Sequence, residues 1–154
     1  MLALVFQIGD GRFALDCAGV IEVAPRVLAT PVPGTPPYVR GVVDYRGTVA
    51  PVLDLCMILT GREAEDSIGT RMIMVSCVMP DGTKRTMGLL AEKVCDTIRL
   101  DEREVSRAGI DADTTPWLDG VARSGGSLVE VVRSTHLLPA EVRDRLFSIG
   151  GVCE

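Results

Sequence analysis

Apolar and polar residues alternate along short stretches of this chain, and this period of two is typical of half-buried β-strands. The most informative stretch extends from Val39 to Leu55 and is interrupted once, at Arg46-Gly47. A glycine supplies the backbone freedom that a tight reversal needs, so the pattern predicts two strands joined at this point. Arg46 lies at the bend, where its long side chain can leave the sheet and contact a partner.

The same pattern recurs along the rest of the chain. It predicts eight further strands: Leu2–Ile8, Arg12–Asp16, Val27–Val32, Arg71–Met79, Lys84–Ala91, Val94–Leu100, Leu118–Arg123 and Leu128–Arg133. Helix is sparse and is predicted in three places: Cys17–Val23 after an Asp16 cap, Cys56–Leu59, and from Pro139 to a tail that frays over Ser148–Glu154. About ten short strands at this spacing are typical of small barrels, and the chain length suits two barrels of about five strands each. We therefore expect a mostly β fold.

Composition narrows the classes of function. Apolar residues make up 47% of the 154 residues and aromatic residues only 4%, so the core is expected to be aliphatic. The net charge of −5 argues against a general nucleic-acid binder, which carries a basic stripe. The apolar stretch Met1–Ile8 lacks the basic start of a signal peptide, and no apolar run approaches the roughly 18 residues of a membrane span. We expect a cytoplasmic protein without direct membrane insertion.

Residues for catalysis or metal binding are scarce. The five cysteines are widely spaced and form no CxxC pair: Cys17, Cys56, Cys77, Cys95 and Cys153. We interpret Cys17, Cys77 and Cys95, which lie in apolar runs, as buried core residues. His136 is the only histidine and is expected to start a helix or pack, so no nucleophile–base pair can be nominated. A thiol-based redox or metal protein stays an alternative, and it would require a fast-reacting thiol.

Four parts of the sequence match one family pattern in order and in spacing. They are Leu4–Asp10 with Phe13–Asp16, Val20–Val23, Pro36–Gly47 with Pro51–Leu55, and Met87–Val94. Together they resemble the CheW family, the coupling proteins of bacterial chemotaxis-type signalling, from Leu4 to about Leu138. The resemblance implies two intertwined SH3-like five-stranded β-barrels with a few short helices. Within a single domain, residues 1–68 would form mainly the first barrel, 69–135 mainly the second, and 136–154 the C-terminal helix and tail.

The resemblance also implies a function. Members of this family are non-enzymatic scaffolds, without metal or cofactor, that couple the cytoplasmic tips of methyl-accepting chemoreceptors to a CheA-type histidine kinase. Such a protein is cytoplasmic and is recruited to membrane receptor arrays. An alternative keeps the fold but makes the chain a kinase-binding sensor or inhibitor module that joins no receptor array. The sequence departs from the family pattern at Cys17–Gly19, Asp44-Tyr45 and Ala91–Lys93, and the departures at Cys17–Gly19 and Tyr45 motivate this alternative.

The receptor groove of the family implies four contact residues in this sequence: Val20, Glu22, Val23 and Arg46. Val20 and Val23 would form an i, i+3 apolar ridge on the short helix, against which a receptor helix packs, or they would pack in the core. Arg46 would donate to a carboxylate or to helix carbonyls of the receptor. Alternatively, it would be a solvated charge of the turn or would pair internally with Asp54 or Asp44.

The kinase contact is expected on apolar surface at the barrel ends. There the CheW-like regulatory domain of the kinase would meet this chain pseudo-symmetrically. The kinase-binding candidates are three apolar residues of the hairpin stretch: Val39, Val42 and Leu53.

Overall fold

The computed structural model describes residues 1–79, 81–111 and 113–152. The strands in this part of the chain are β1 Leu2–Ile8, β2 Gly11–Asp16, β3 Val20–Pro25, β4 Val39–Tyr45, β5 Thr48–Asp54, β6 Arg71–Val78, β7 Lys84–Ala91, β8 Val94–Arg99, β9 Leu118–Ser124 and β10 Ser127–Val132. The helices are α1 Leu55–Thr60 and α2 Ala140–Val152, with 3₁₀ turns at Cys17–Gly19, Glu102–Glu104 and Ser134–His136. The mostly β fold is confirmed, and nine of the ten predicted strands agree with the structure to within about one residue at each end.

In the described part of the chain the strands form two five-stranded sheets, and the second sheet is inserted between two parts of the first. One sheet has the order β8-β1-β2-β10-β9 and the other has the order β3-β6-β7-β5-β4. Neighbouring strands are antiparallel except for the pairs β2–β10 and β5–β7, which are parallel. The chain therefore begins in one sheet, builds the whole of the other, and returns to the first. The division expected at residue 68 does not match these sheets, because β1 and β2 pair with strands from the end of the chain.

Buried apolar side chains of the described residues form three clusters. The largest, here called the central core, contains residues from both sheets, among them Phe6 and Leu53. Each smaller cluster lines one sheet only. Successive residues of β6 alternate between clusters, since Ile73 belongs to the central core while Met72 and Met74 belong to a smaller cluster. Strands that are buried on both faces have nearly continuous apolar sequences, which explains the high apolar content of the chain.

The helix predicted over Cys17–Val23 is wrong. The structure has only a 3₁₀ turn at Cys17–Gly19, where the Asp16 carboxylate accepts a hydrogen bond from the backbone N–H of Ala18 at 2.9 Å. Strand β3 begins directly afterwards, at Val20, and pairs with β6. The β-branched residues of this segment suit a strand, and the free edge of β6 gives their backbone groups partners.

The strand predicted over Val27–Val32 is also wrong, because that segment is irregular apart from one β-bridge. Thr30 exchanges two backbone hydrogen bonds with Val42 of β4, at 2.8 and 2.9 Å. Pro31 follows immediately and has no N–H with which to extend the ladder. The segment is thus attached to the edge of the second sheet at a single residue.

Helix α2 covers one side of the central core. Leu146 is fully buried there, and Leu138 and Val142, predicted on the same stripe, are half-buried against it. The helix continues to Val152, and the fraying predicted over Ser148–Glu154 stays a prediction. The last two residues, 153 and 154, lie outside the described part.

Candidate partner-binding sites

Two of the four residues predicted to contact a receptor meet at the surface of the second sheet. This sheet curls so that its edge strands β3 and β4 approach each other. The Glu22 carboxylate, on β3, accepts a hydrogen bond from Arg46 Nη2 at 2.8 Å. It also accepts one from the hydroxyl of Tyr45, the last residue of β4. Tyr45 was not predicted as a site residue, and no local sequence pattern links it to a residue 23 positions earlier.

Arg46 is held at the tip of the β4–β5 hairpin. Its backbone φ is +51°, and the turn is closed by Gly47, whose N–H donates to the Asp44 carboxylate at 2.8 Å. Its guanidinium lies over the Tyr45 ring, 5.0 Å from the ring centroid, a cation–π distance. The side chain remains 68% exposed. Arg46 therefore points outward from a defined position, and its ionic partner is Glu22 rather than either aspartate considered from the sequence.

The two valines of the predicted ridge have different surroundings. Val20 packs half-buried against the central core, whereas Val23 is 40% exposed on β3. The i, i+3 helical ridge is therefore wrong, because these residues belong to an extended strand with an irregular register between Val20 and Glu22. Ile21, which the sequence did not single out, is 41% exposed. We name the Glu22 surface after the three residues that contact one another there: Glu22, Tyr45 and Arg46.

The residues predicted to bind a kinase are mostly inaccessible. Leu53 is 0% exposed and Val39 is also buried, both in the central core. Val42 is half-buried, and its backbone is engaged by Thr30. The prediction of Val39 and Leu53 as surface residues is wrong because β4 and β5 contribute to clusters on both faces of their sheet. An alternating apolar pattern does not reveal burial on the second face.

Exposed apolar side chains occur instead beside Arg26. Leu28 is 96% exposed, Ile68 is 90% exposed, and Val27 is about half-exposed. Arg26 lies between two shallow hollows, one lined by Val27 and Leu28 and the other by Ile68. Its guanidinium forms an ion pair with Asp66. We call Val27, Leu28 and Ile68 the Leu28 surface.

Two buried carboxylates anchor the loop that carries Ile68. Asp54, fully buried, accepts a hydrogen bond from the backbone N–H of Ala64 at 2.9 Å while it caps α1. Glu92 accepts from the N–H of Glu65 at 2.7 Å and from Arg62 Nη2 at 3.1 Å. A buried carboxylate without such donors would be costly, so these bonds fix the loop against the sheet.

A cavity of about 690 Å³ opens at the far end of β4 from Arg46. Its lining is largely apolar and includes Tyr38, which directly precedes β4, together with Met57, Trp117 and Leu138. The seven residues of β4 lie between Tyr38 and Arg46, and eight steps at 3.3 Å per residue put the two at most about 26 Å apart. His136 and Arg143 also line the cavity. The volume falls in the range of small-molecule pockets.

The structure shows no reactive centre formed by the four cysteines in the described part of the chain. Cys56 and Cys77 are buried and Cys17 is half-buried, whereas Cys95 is exposed on edge strand β8, contrary to its predicted burial. Burial is the main cause that raises the pKa of the Cys56 thiol to about 12, with the carboxylates of Glu92 and Asp54 adding to it. The described part of the chain contains no group of three or more His, Cys, Asp or Glu side chains placed to hold a metal ion.

None of the helices in the described ranges combines the length and the apolar character needed to cross a bilayer.

Comparisons with known proteins agree with the architecture. A model of the CheW-like domain matches residues 2–142. The chain is 29% identical to "Chemotaxis protein CheW" of Rhizobium meliloti (strain 1021) over 92% of its own length and 89% of that protein. It is 26% identical to the protein of the same name from Bacillus subtilis (strain 168), over 90% and 86% of the two chains. The crystal structure of the scaffolding protein TtCheW from Thermoanaerobacter tengcongensis superposes with a TM-score of 0.77 at 23% identity, covering 92% of this chain and 89% of the other.

Proposed function

The chain belongs to the family of CheW-like domains, which are non-enzymatic adaptors, and we propose that it couples chemoreceptors to a CheA-type histidine kinase. In this proposal the partners are the cytoplasmic tip of a methyl-accepting chemoreceptor and the kinase, each docked on its own surface. The protein acts in the cytoplasm and is recruited to membrane receptor arrays. No bond is made or broken by the adaptor itself.

The observation that carries the receptor half is the pre-arranged Glu22 surface. Glu22 and Arg46, two residues that the family resemblance assigns to the receptor, lie 2.8 Å apart although 24 positions separate them in the chain. Val23, the next residue of β3, is 40% exposed but faces the opposite side of the sheet from Glu22, so the apolar contact on this surface comes from the Tyr45 ring. Arginine and tyrosine, the residue types at positions 46 and 45, are enriched at the energetic centres of interfaces.

We place the kinase contact on the Leu28 surface. Isolated exposed hydrophobic side chains are common, but Leu28 and Ile68 are almost entirely exposed and flank the same arginine, Arg26. Their segments are held in place, one by the Thr30–Val42 bridge and the other by the carboxylate-anchored loop. A rigid apolar patch loses little conformational entropy on docking, which favours association.

The experiment that tests the proposal is a bridging assay. The kinase is immobilised, a soluble receptor signalling fragment is added, and retention of the fragment is measured with and without this protein. We expect retention only when the adaptor is present. An adaptor that binds neither partner, or that hydrolyses a substrate on its own, would contradict the proposal.

The cavity beside Trp117 favours a second candidate, the sensor or inhibitor module that binds the kinase but joins no receptor array. Trp117 is the only tryptophan of the chain, so its fluorescence reports occupancy of the cavity directly. Under this alternative a small apolar ligand shifts the Trp117 emission and changes kinase affinity, and receptor fragments do not bind. Receptor binding with unchanged Trp117 emission would favour the coupling function.

A further inference from the structure

We propose that Tyr45 determines receptor selectivity by holding Glu22 and Arg46 as a charge-compensated pair, whose matching group on a receptor is a carboxamide side chain rather than a single carboxylate. This inference rests on the proposed function, because it takes the Glu22 surface as the receptor-binding side. Tyr45 acts as a positioning residue, through Glu22 and Arg46.

Tyr45 contacts both members of the pair. Its ring supports the Arg46 guanidinium at 5.0 Å, and its hydroxyl donates to Glu22 Oε1. The same oxygen accepts the hydrogen bond from Arg46 Nη2. Tyr45 thus orients the Arg46 guanidinium with its ring and the Glu22 carboxylate with its hydroxyl. Donation of the hydroxyl hydrogen bond to Glu22 also raises the pKa of the Tyr45 phenol.

The pair leaves one acceptor and several donors for a partner. Within the described ranges, Glu22 Oε2 accepts no hydrogen bond, and Arg46 donates only through Nη2. An Asn or Gln side chain matches this arrangement, because its oxygen accepts from Arg46 while its NH₂ group donates to Glu22. A single carboxylate on the receptor would pair with Arg46 but would be repelled by Glu22. Like-charge contacts of this kind are how interfaces reject unsuitable partners.

The first experiment tests the contact without any receptor. In a Tyr38→Phe background Tyr45 is the only tyrosine, so the tyrosinate absorbance band follows its ionisation alone. We expect the phenol to titrate above its ordinary pKa of 10.0 and to shift downward when Glu22→Ala removes the acceptor. An identical titration curve with and without Glu22 would overturn the inference.

The second experiment tests selectivity with a receptor tip fragment that the wild-type protein binds. Each exposed Asn and Gln of the fragment is changed in turn to Asp or Glu, and dissociation constants are measured for wild type, Glu22→Gln and Tyr45→Leu. At one position we expect the acidic change to weaken wild-type binding about tenfold, the scale of one unfavourable polar contact. The same change should cost the Glu22→Gln protein less than about twofold, since it lacks the repelling charge. Tyr45→Leu should fall between them, with kinase affinity unchanged in all three.

The possible outcomes distinguish a failure of the selectivity inference from a failure of the proposed function. Acidic changes that cost all three proteins equally, or that strengthen wild-type binding, would overturn the role of Tyr45 and leave the coupling function intact. Failure of the wild-type protein to bind any unmodified receptor fragment, while it still binds the kinase, would overturn the receptor half of the proposed function and the selectivity inference with it.

Discussion

Replacing Gly41 of β4 by alanine is expected to displace the segment that carries Leu28 and so to disrupt the Leu28 surface. Gly41 has a φ of +137°, a conformation that side chains rarely adopt. A Cβ at this position would lie 2.5 Å from the carbonyl carbon of Thr30 and 2.9 Å from the nitrogen of Pro31. Both are backbone atoms, so the new methyl group cannot be accommodated by rotation of a neighbouring side chain. The segment that carries Leu28 must move away from β4.

The size of the effect follows from these contacts. The unfavourable backbone conformation costs about 1–3 kcal/mol. Moving the segment also breaks the two Thr30–Val42 hydrogen bonds, each contributing about 0.5–1.5 kcal/mol. We therefore expect Gly41→Ala to lower the free energy of unfolding by about 2–6 kcal/mol, if these costs combine. Gly47→Ala is the matched control, because φ is +83° there but no atom lies within 4 Å of the added carbon, so only about 1–2 kcal/mol is expected.

The assay is urea denaturation of both variants at 25 °C, followed by titration with the kinase and with the receptor fragment under conditions where each variant is folded. Gly41→Ala should lose kinase affinity and keep receptor affinity, since the Glu22 surface lies elsewhere. Equal unfolding free energies for Gly41→Ala and Gly47→Ala would refute the close approach of Thr30. Full kinase affinity in a folded Gly41→Ala protein would refute the placement of the kinase on the Leu28 surface.

Three further predictions test burial. Leu53→Ala should lower the free energy of unfolding by about 3–5 kcal/mol because Leu53 is fully buried, and Val42→Ala, at a half-buried position, by about 1 kcal/mol. A Leu53→Ala protein that has normal stability and loses only kinase binding would contradict the buried position of Leu53. At pH 8, in a Cys153→Ser background, Cys95 should react rapidly with Ellman's reagent while Cys56 is protected until unfolding, and rapid modification of Cys56 would contradict its burial. The pKa of the Cys56 thiol rises from an ordinary 9.0 to about 12 on folding. We therefore expect the free energy of unfolding to decline as the pH rises above 9, with Cys56→Ala as the comparison.

Local sequence information was sufficient for the hairpins. Alternation together with a turn residue identified β1–β2, β4–β5, β6–β7 and β9–β10, because each pair is adjacent in the chain and needs only a short reversal. It was not sufficient for β3, since seven residues fit both a two-turn helix and a strand. There the free edge of β6, some fifty residues later, selects the extended form. Tertiary pairing therefore decided the conformation of β3, whose local signals conflicted.

The same limit applies to the candidate sites. Glu22 and Arg46 were identified by resemblance, yet their direct contact and the role of Tyr45 depend on the curl of the second sheet. For the kinase, the apolar pattern of β4 and β5 suggested surface residues, but these strands contribute residues to clusters on both faces of their sheet. The exposed alternatives, Leu28 and Ile68, lie in irregular segments without periodicity. Nothing in a local pattern distinguishes such residues from ordinary loop positions.

The central claim is that two separate, rigid surfaces dock two different partners. It is tested most directly by measuring the dissociation constants of Arg46→Glu and Leu28→Glu for both the kinase and the receptor fragment. Both side chains are largely exposed, so neither change should unfold the protein. The account predicts reciprocal loss: Arg46→Glu loses the receptor and keeps the kinase, and Leu28→Glu loses the kinase and keeps the receptor. Loss of both partners by either folded variant, or of neither by both, would contradict it.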